Sequence, residues 1–155
     1  MNREIAVNDI GRERKMLGNI LKAFESKDGD YQPTPEMMSA AQVIRHIAQT
    51  TRWFLEGAYG KGFDMDFAKM EAENKQPCTL EEALASLNRA FDDFIACINR
   101  LTEEEFTAPL PSNPIFGEIP RFALIYANSD HTAHHRGALA VYLRLLGKIP
   151  PMIYQ

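Results

Sequence analysis

Between Thr79 and Leu101 the chain places Leu80, Leu84, Leu87, Phe91, Phe94, Ile98 and Leu101 three or four residues apart. That spacing gathers them on one face of a helix about six turns long. A stripe of that length can be buried only against other elongated helices. The start is written locally: "TLEE" has Thr79 and Glu82 at capping-box spacing, directly after the breaker "NKQPC".

Three further segments read the same way. The first helix is expected from about Asn2 to Ser26, with Ile10, Leu17, Ile20, Leu21 and Phe24 as its stripe, and it stops at the turn cluster "SKDGDYQPTP". The second has two candidate starts, Thr34 before Pro35 and the capping-box run "SAAQ" at Ser39 to Gln42. It continues through Val43, Ile47, Thr50 and Phe54 and frays at Gly57, Gly60 and Gly62. The last is expected from about Arg121 to Leu146, ending at Gly147 with Pro150 beyond it. No segment alternates cleanly with β-branched enrichment. The fold class is therefore all-α: one domain over residues 1–155, a four-helix bundle with long crossover connections. Roughly twenty residues separate the second and third long helices, enough to cross the bundle instead of making a hairpin, with "FDMDFAKMEAENKQ" adding a helical turn.

Charge and composition narrow the function. A net charge of −4 with no basic stripe argues against nucleic acid. No apolar run reaches the length of a membrane span, and the polar "MNREIAVNDIGRERK" lacks the apolar core of a signal peptide. The expected location is the cytoplasm. Cys78 and Cys97 are too far apart for a CxxC pair and read as reduced thiols, with no basic or histidine neighbour in sequence to activate either. The charged residues of "REIAVNDIGRERK" and "TEEEF" read as solvated faces and caps.

The chemistry concentrates in "SDHTAHHRGALAVYL", which holds three of the four histidines. His131 and His135 lie about 40° apart on a helix, one turn above the other, where two imidazoles can share a metal ion. Asn128, Leu124, Leu139 and Tyr142 fall on the same side, so the pair faces the bundle interior. Unpartnered histidines there would be costly, although a hydrogen-bonded or partly exposed pair is the competing reading. His134 points to the flank and reads as a surface or interface residue. The remaining histidine, His46 in "QVIRHIAQTTRWF", occupies the edge of the second helix's apolar face and is the natural third ligand. Three protein ligands with one open position is the pattern of catalytic zinc sites. On azimuth alone Trp53, Asn128 and Tyr142 are candidates for the pocket wall or for hydrogen bonds to the ligands, with bundle core as the alternative.

Together "SAAQVIRHIAQTTRWF" and "DHTAHHRGALAVYLRLLGKIPPMIY" resemble the DinB-like superfamily of metalloenzymes. The resemblance implies a four-helix bundle with up-down-down-up connections, commonly a homodimer. It implies a divalent metal, nickel or zinc, on His46, His131 and His135. Arg136 and Gly137 match the family's dipeptide, whereas the glutamine that commonly follows is Ala138. Relatives of this kind join low-molecular-weight thiols to electrophiles. Thiol-dependent S-transfer to a small molecule is thus the first expectation, with such a thiol as co-substrate. Metal-dependent hydrolysis ranks second because no Glu lies beside the ligand motifs on the metal-facing side. A non-enzymatic, metal-binding stress-response dimer is the third.

Overall fold

The computed structural model describes residues 1–154, and among them it forms helices and one isolated antiparallel bridge, Pro109 to Pro120. In chain order the helices are α1 (Arg3–Leu21), α2 (Ala40–Tyr59), α3 (Phe67–Lys75), α4 (Leu80–Arg100), α5 (Glu103–Thr107) and α6 (Ala123–Leu145), with a 3₁₀ turn at Ser26–Asp28. The four long ones are those the periodicity predicts.

Their ends show which local signals won. For α2 the Ser39 box prevails: the Ser39 hydroxyl accepts from the Gln42 N–H, and Gln42 accepts in return from the Ser39 N–H. Loop carbonyls of Tyr31 and Gly29 take the Ala40 and Ala41 N–H groups, so the first turn has no orphan donors to extend toward Thr34. At α1 the chain tightens after Leu21 into bonds from Ala23 to Ile20 and Phe24 to Leu21. The Asp28 carboxylate then captures the Glu25 N–H, stopping the helix short of Ser26. α4 keeps its Thr79–Glu82 box, and α6 ends in a Schellman pair, Gly147 N–H to Arg144 and Lys148 N–H to Leu143, around Gly147 at φ 75°. Two short helices exceed expectation. α3 is two and a half turns instead of one. α5 grows from "TEEEF" on a Thr102–Glu105 box and drives Phe106 fully into the core.

α2 packs against α4 and α6, and α1 against the same two, so the helices form a ring with α1 diagonal to α2. Side-chain links give the directions. Arg3 reaches Glu103 and Arg14 reaches Asp92, so α1 and α4 are antiparallel. Glu13 pairs with Arg136 and Ala23 with Lys148, so α1 and α6 are parallel. The Tyr142 hydroxyl donates to the Met38 carbonyl while His46 meets His131, so α2 and α6 are antiparallel. Up-down-down-up follows. α2 and α4 are therefore parallel neighbours, and residues 60–79 must travel back along α2 to connect them. Trp53 Nε1 holds the Asp64 carbonyl, Gln49 the Met70 carbonyl and Arg45 the Asn74, Gln76 and Pro77 carbonyls, which lays α3 on the outer edge of α2.

The core between the four long helices is apolar, with Ile10, Leu17, Ile47, Phe91, Phe94, Ile98 and Leu139 fully buried. Each contributes about 1.5–3 kcal/mol through burial. Glu13 departs from expectation: it is 8% exposed, not a solvated charge. No helix of the described residues is long and apolar enough to cross a membrane.

Candidate metal centre

The antiparallel register of α2 and α6 sets His46 opposite the turn that carries His131 and His135. His131 Nε2 stands 3.2 Å from His46 Nε2, and the three ring centroids are 4.5–5.0 Å apart. One ring nitrogen from each residue lies within 4.8 Å of the others. All three rings are half-buried.

Burial and mutual proximity make these rings hard to protonate. Desolvation, then the neighbouring His46 and His134, lowers His131 to about 4. Desolvation, then His131, His46 and His134, lowers His135 to about 3. Desolvation also lowers His46, partly opposed by a hydrogen bond to the Gln49 side chain. At neutral pH the cluster therefore presents uncharged imidazoles, the form that binds metals.

These residues fit a divalent ion. Two nitrogens about 2.1 Å from a tetrahedral centre stand roughly 3.4 Å apart, close to the observed His46–His131 separation. One hydrogen bond between that pair engages only two of the three nitrogens, whereas a shared cation satisfies all three. An all-imidazole donor set suits zinc, nickel, copper or iron, not the oxygen-seeking magnesium or calcium.

The other expected residues separate. Asn128 lies one turn before His131, is 1% exposed, and its amide has no protein partner at either atom; buried Thr51 and Thr132 hydroxyls and His131 Nδ1 are also unpaired. Trp53 belongs to an aromatic cluster with Phe54, Phe63, Phe67 and Phe116, and only Phe54 of these meets the site, 6.4 Å from His131. Tyr142 sits two turns beyond His135, bonded to Met38 and edge-on to Tyr31. His134 is exposed, with its ring 4.9 Å from His135. Arg136 turns to the Glu13 carboxylate on α1. Cys78 and Cys97 are free, and burial pushes both thiols up, away from reactivity.

Sequence reading passed over Gln49. It is three residues after His46, hence on the same side of α2, and that spacing was the available signal.

A four-helix bundle with up-down-down-up connections and a histidine triad where α2 meets α6 defines a class of helical proteins built to hold a metal between helices. The chain belongs to the DinB superfamily, whose sequence model matches residues 10–139. It is similar to the Bacillus subtilis protein YjoA, 28% identical over 143 residues, covering 92% of this chain and 89% of that one. The crystal structure of YjoA, described as DinB-like, superposes with a TM-score of 0.70 at 20% identity, covering 96% of each chain. Bacillus subtilis YfiT superposes with a TM-score of 0.69 at 16% identity, covering 96% of this chain and 91% of that one. YfiT is described as a probable metal-dependent hydrolase with an unusual four-helix bundle topology.

Proposed function

We propose that His46, His131 and His135 hold one divalent metal ion, zinc or nickel, and that the protein is a metal-dependent hydrolase of a small molecule. The convergence of three uncharged ring nitrogens within 4.8 Å carries this reading. An ion held by these three neutral imidazoles would keep its full positive charge, and the chemistry it would supply is polarisation of a substrate oxygen and a lowered pKa for water.

The residues around it support hydrolysis over thiol transfer, reversing the order expected from sequence. The objection was the lack of a nearby carboxylate. The α3 crossover removes part of it, bringing Glu73 to 3.4 Å from the amide of Gln49, which lies three residues after His46 on the same side of α2. The description of YfiT points the same way. Thiol transfer with a low-molecular-weight co-substrate rests on the family resemblance alone. The two free cysteines support a reducing compartment, the cytoplasm.

Elemental analysis is the first test. Wild type and His134→Ala are expected to carry about one equivalent of metal and His46→Ala and His135→Ala far less; equal metal in all four would sink the site. The loaded protein is then offered a panel of esters, amides and lactams. In parallel it receives biological thiols with monochlorobimane. Metal-dependent hydrolysis, abolished in His135→Ala, is the expected result, whereas metal-dependent conjugation without hydrolysis would favour transfer.

A further inference from the structure

Between α2, α3 and α4 lies a cavity of about 320 Å³, lined by Arg45, Gln49 and Arg52 from one face of α2, Glu73 and Asn74 from α3, and Ser86 from α4. Its volume is about that of ten waters, room for a small organic molecule. Arg45 donates to the carbonyls of Asn74, Gln76 and Pro77, and its Nε is buried without a partner. Arg52 donates to Ser86, reaching the hydroxyl at 3.1 Å and the carbonyl at 2.8 Å. Among the described residues, then, the acceptors of both guanidiniums are all uncharged. Of the five N–H groups an arginine carries, Ser86 takes two from Arg52, and the rest have no protein acceptor.

We propose that this cavity binds a small-molecule anion through a carboxylate or phosphate group, with Arg52 as its main contact and Ser86 holding the guanidinium in place. The proposal is separate from the metal reading, since no histidine of the cluster lines the cavity. Two positive charges face one negative charge, Glu73, on its walls. In the adjoining cavity, which shares Gln49, Arg52 and Glu73, Lys61 offsets Glu56 and Lys69 pairs with Asp64, so the positive excess is confined to the Arg45 side. Burial makes the Arg52 charge costly, and of the nearby charges on α4 Asp93 supports it while Arg89 opposes it. A carboxylate or phosphate matches the planar guanidinium fork and offsets that cost, which a neutral ligand cannot do.

Calorimetric titration with inorganic phosphate and with succinate, each at constant ionic strength against sodium chloride, tests this. At least one is expected to bind at millimolar concentration or tighter, and the tighter of the two identifies the acid group. Arg52→Gln should weaken that binding about tenfold or more. Glu73→Gln, which removes a like charge from an exposed position on α3, should tighten it severalfold. Absence of heat with either anion overturns the proposal, as does equal affinity in wild type and Arg52→Gln. Binding that survives Arg52→Gln but disappears in His135→Ala belongs to the metal centre and overturns it as well. Should Arg52→Gln fail to fold, Glu73→Gln still decides: affinity no higher than that of wild type contradicts an anion seated between α2 and α3.

Discussion

Arg136 directly follows a proposed ligand, and its guanidinium is spent on a nearly buried ion pair with Glu13, where the side chains are 13% and 10% exposed. Burial raises the Glu13 pKa, and the Arg136 and Arg12 charges only partly pull it back. The pair thus specifies how α6 sits on α1 more than it stabilises the fold. Removing Arg136 alone strands a buried carboxylate, so Arg136→Met is expected to cost about 3 kcal/mol in urea unfolding, and adding Glu13→Leu should recover most of it. A double variant no more stable than the single one would contradict this account. The sequence held the clue: Glu13 lies between Ile10 and Leu17 on the α1 stripe. A carboxylate on an apolar face is evidence of a partner, and the arginine that meets it is 123 residues away.

Among the elements, α2 carries most of what positions the site, and its boundaries respond to single residues. Ser39→Ala should cost about 1 kcal/mol and lower the melting temperature, while Thr34→Ala, outside the helix, should change little. Equal effects from both would return the helix start to Thr34. Gly57 was expected to fray the helix, yet α2 continues to Tyr59. The reason is contact: a Cβ at Gly57 would come within 2.1 Å of the Phe63 ring, which packs on Trp53 and Phe116. Gly57→Ala is accordingly expected to displace Phe63 and destabilise by about 1–3 kcal/mol despite alanine's better helix propensity, with Trp53 fluorescence reporting the shift. Propensity and packing oppose each other there, and packing wins.

At the scale of the whole molecule, Lys148 closes the bundle by joining the end of α6 to the turn after α1, through Asp28, Glu25 and the Ala23 carbonyl. Burial alone would raise the Asp28 pKa, but hydrogen bonds from Lys148 and the Glu25 N–H outweigh it, and the net effect is to lower it. Because the folded value lies below the unfolded one, this contribution is fully present above about pH 4 and is lost as pH falls through the folded pKa. Melting curves at successive pH values should show a steep acid limb in wild type and a shallower one in Asp28→Asn; superimposable limbs would dismiss the link. α6 also turns Tyr126, Val141 and Leu145 outward, 55%, 51% and 58% exposed. If the homodimer that the family resemblance implies forms through this face, Val141→Glu is expected to shift the sedimenting species from dimer to monomer. A wild-type monomer would overturn that expectation.

What the sequence by itself determined is local. Stripe periodicity, capping boxes and turn clusters were enough for four long helices and for His131 and His135 sharing a face, because each depends on residues a few positions apart. It also carried enough of a pattern to resemble the DinB family, to which the chain belongs. Only the tertiary structure decided the rest. The Glu13–Arg136 pair, the Gln49 bridge to α3 and the apposition of His46 with the α6 pair depend on how helices far apart in sequence are registered, and packing of the whole core sets that register. A helix face can be read from spacing, but which other face it meets is settled when all four stripes are buried at once.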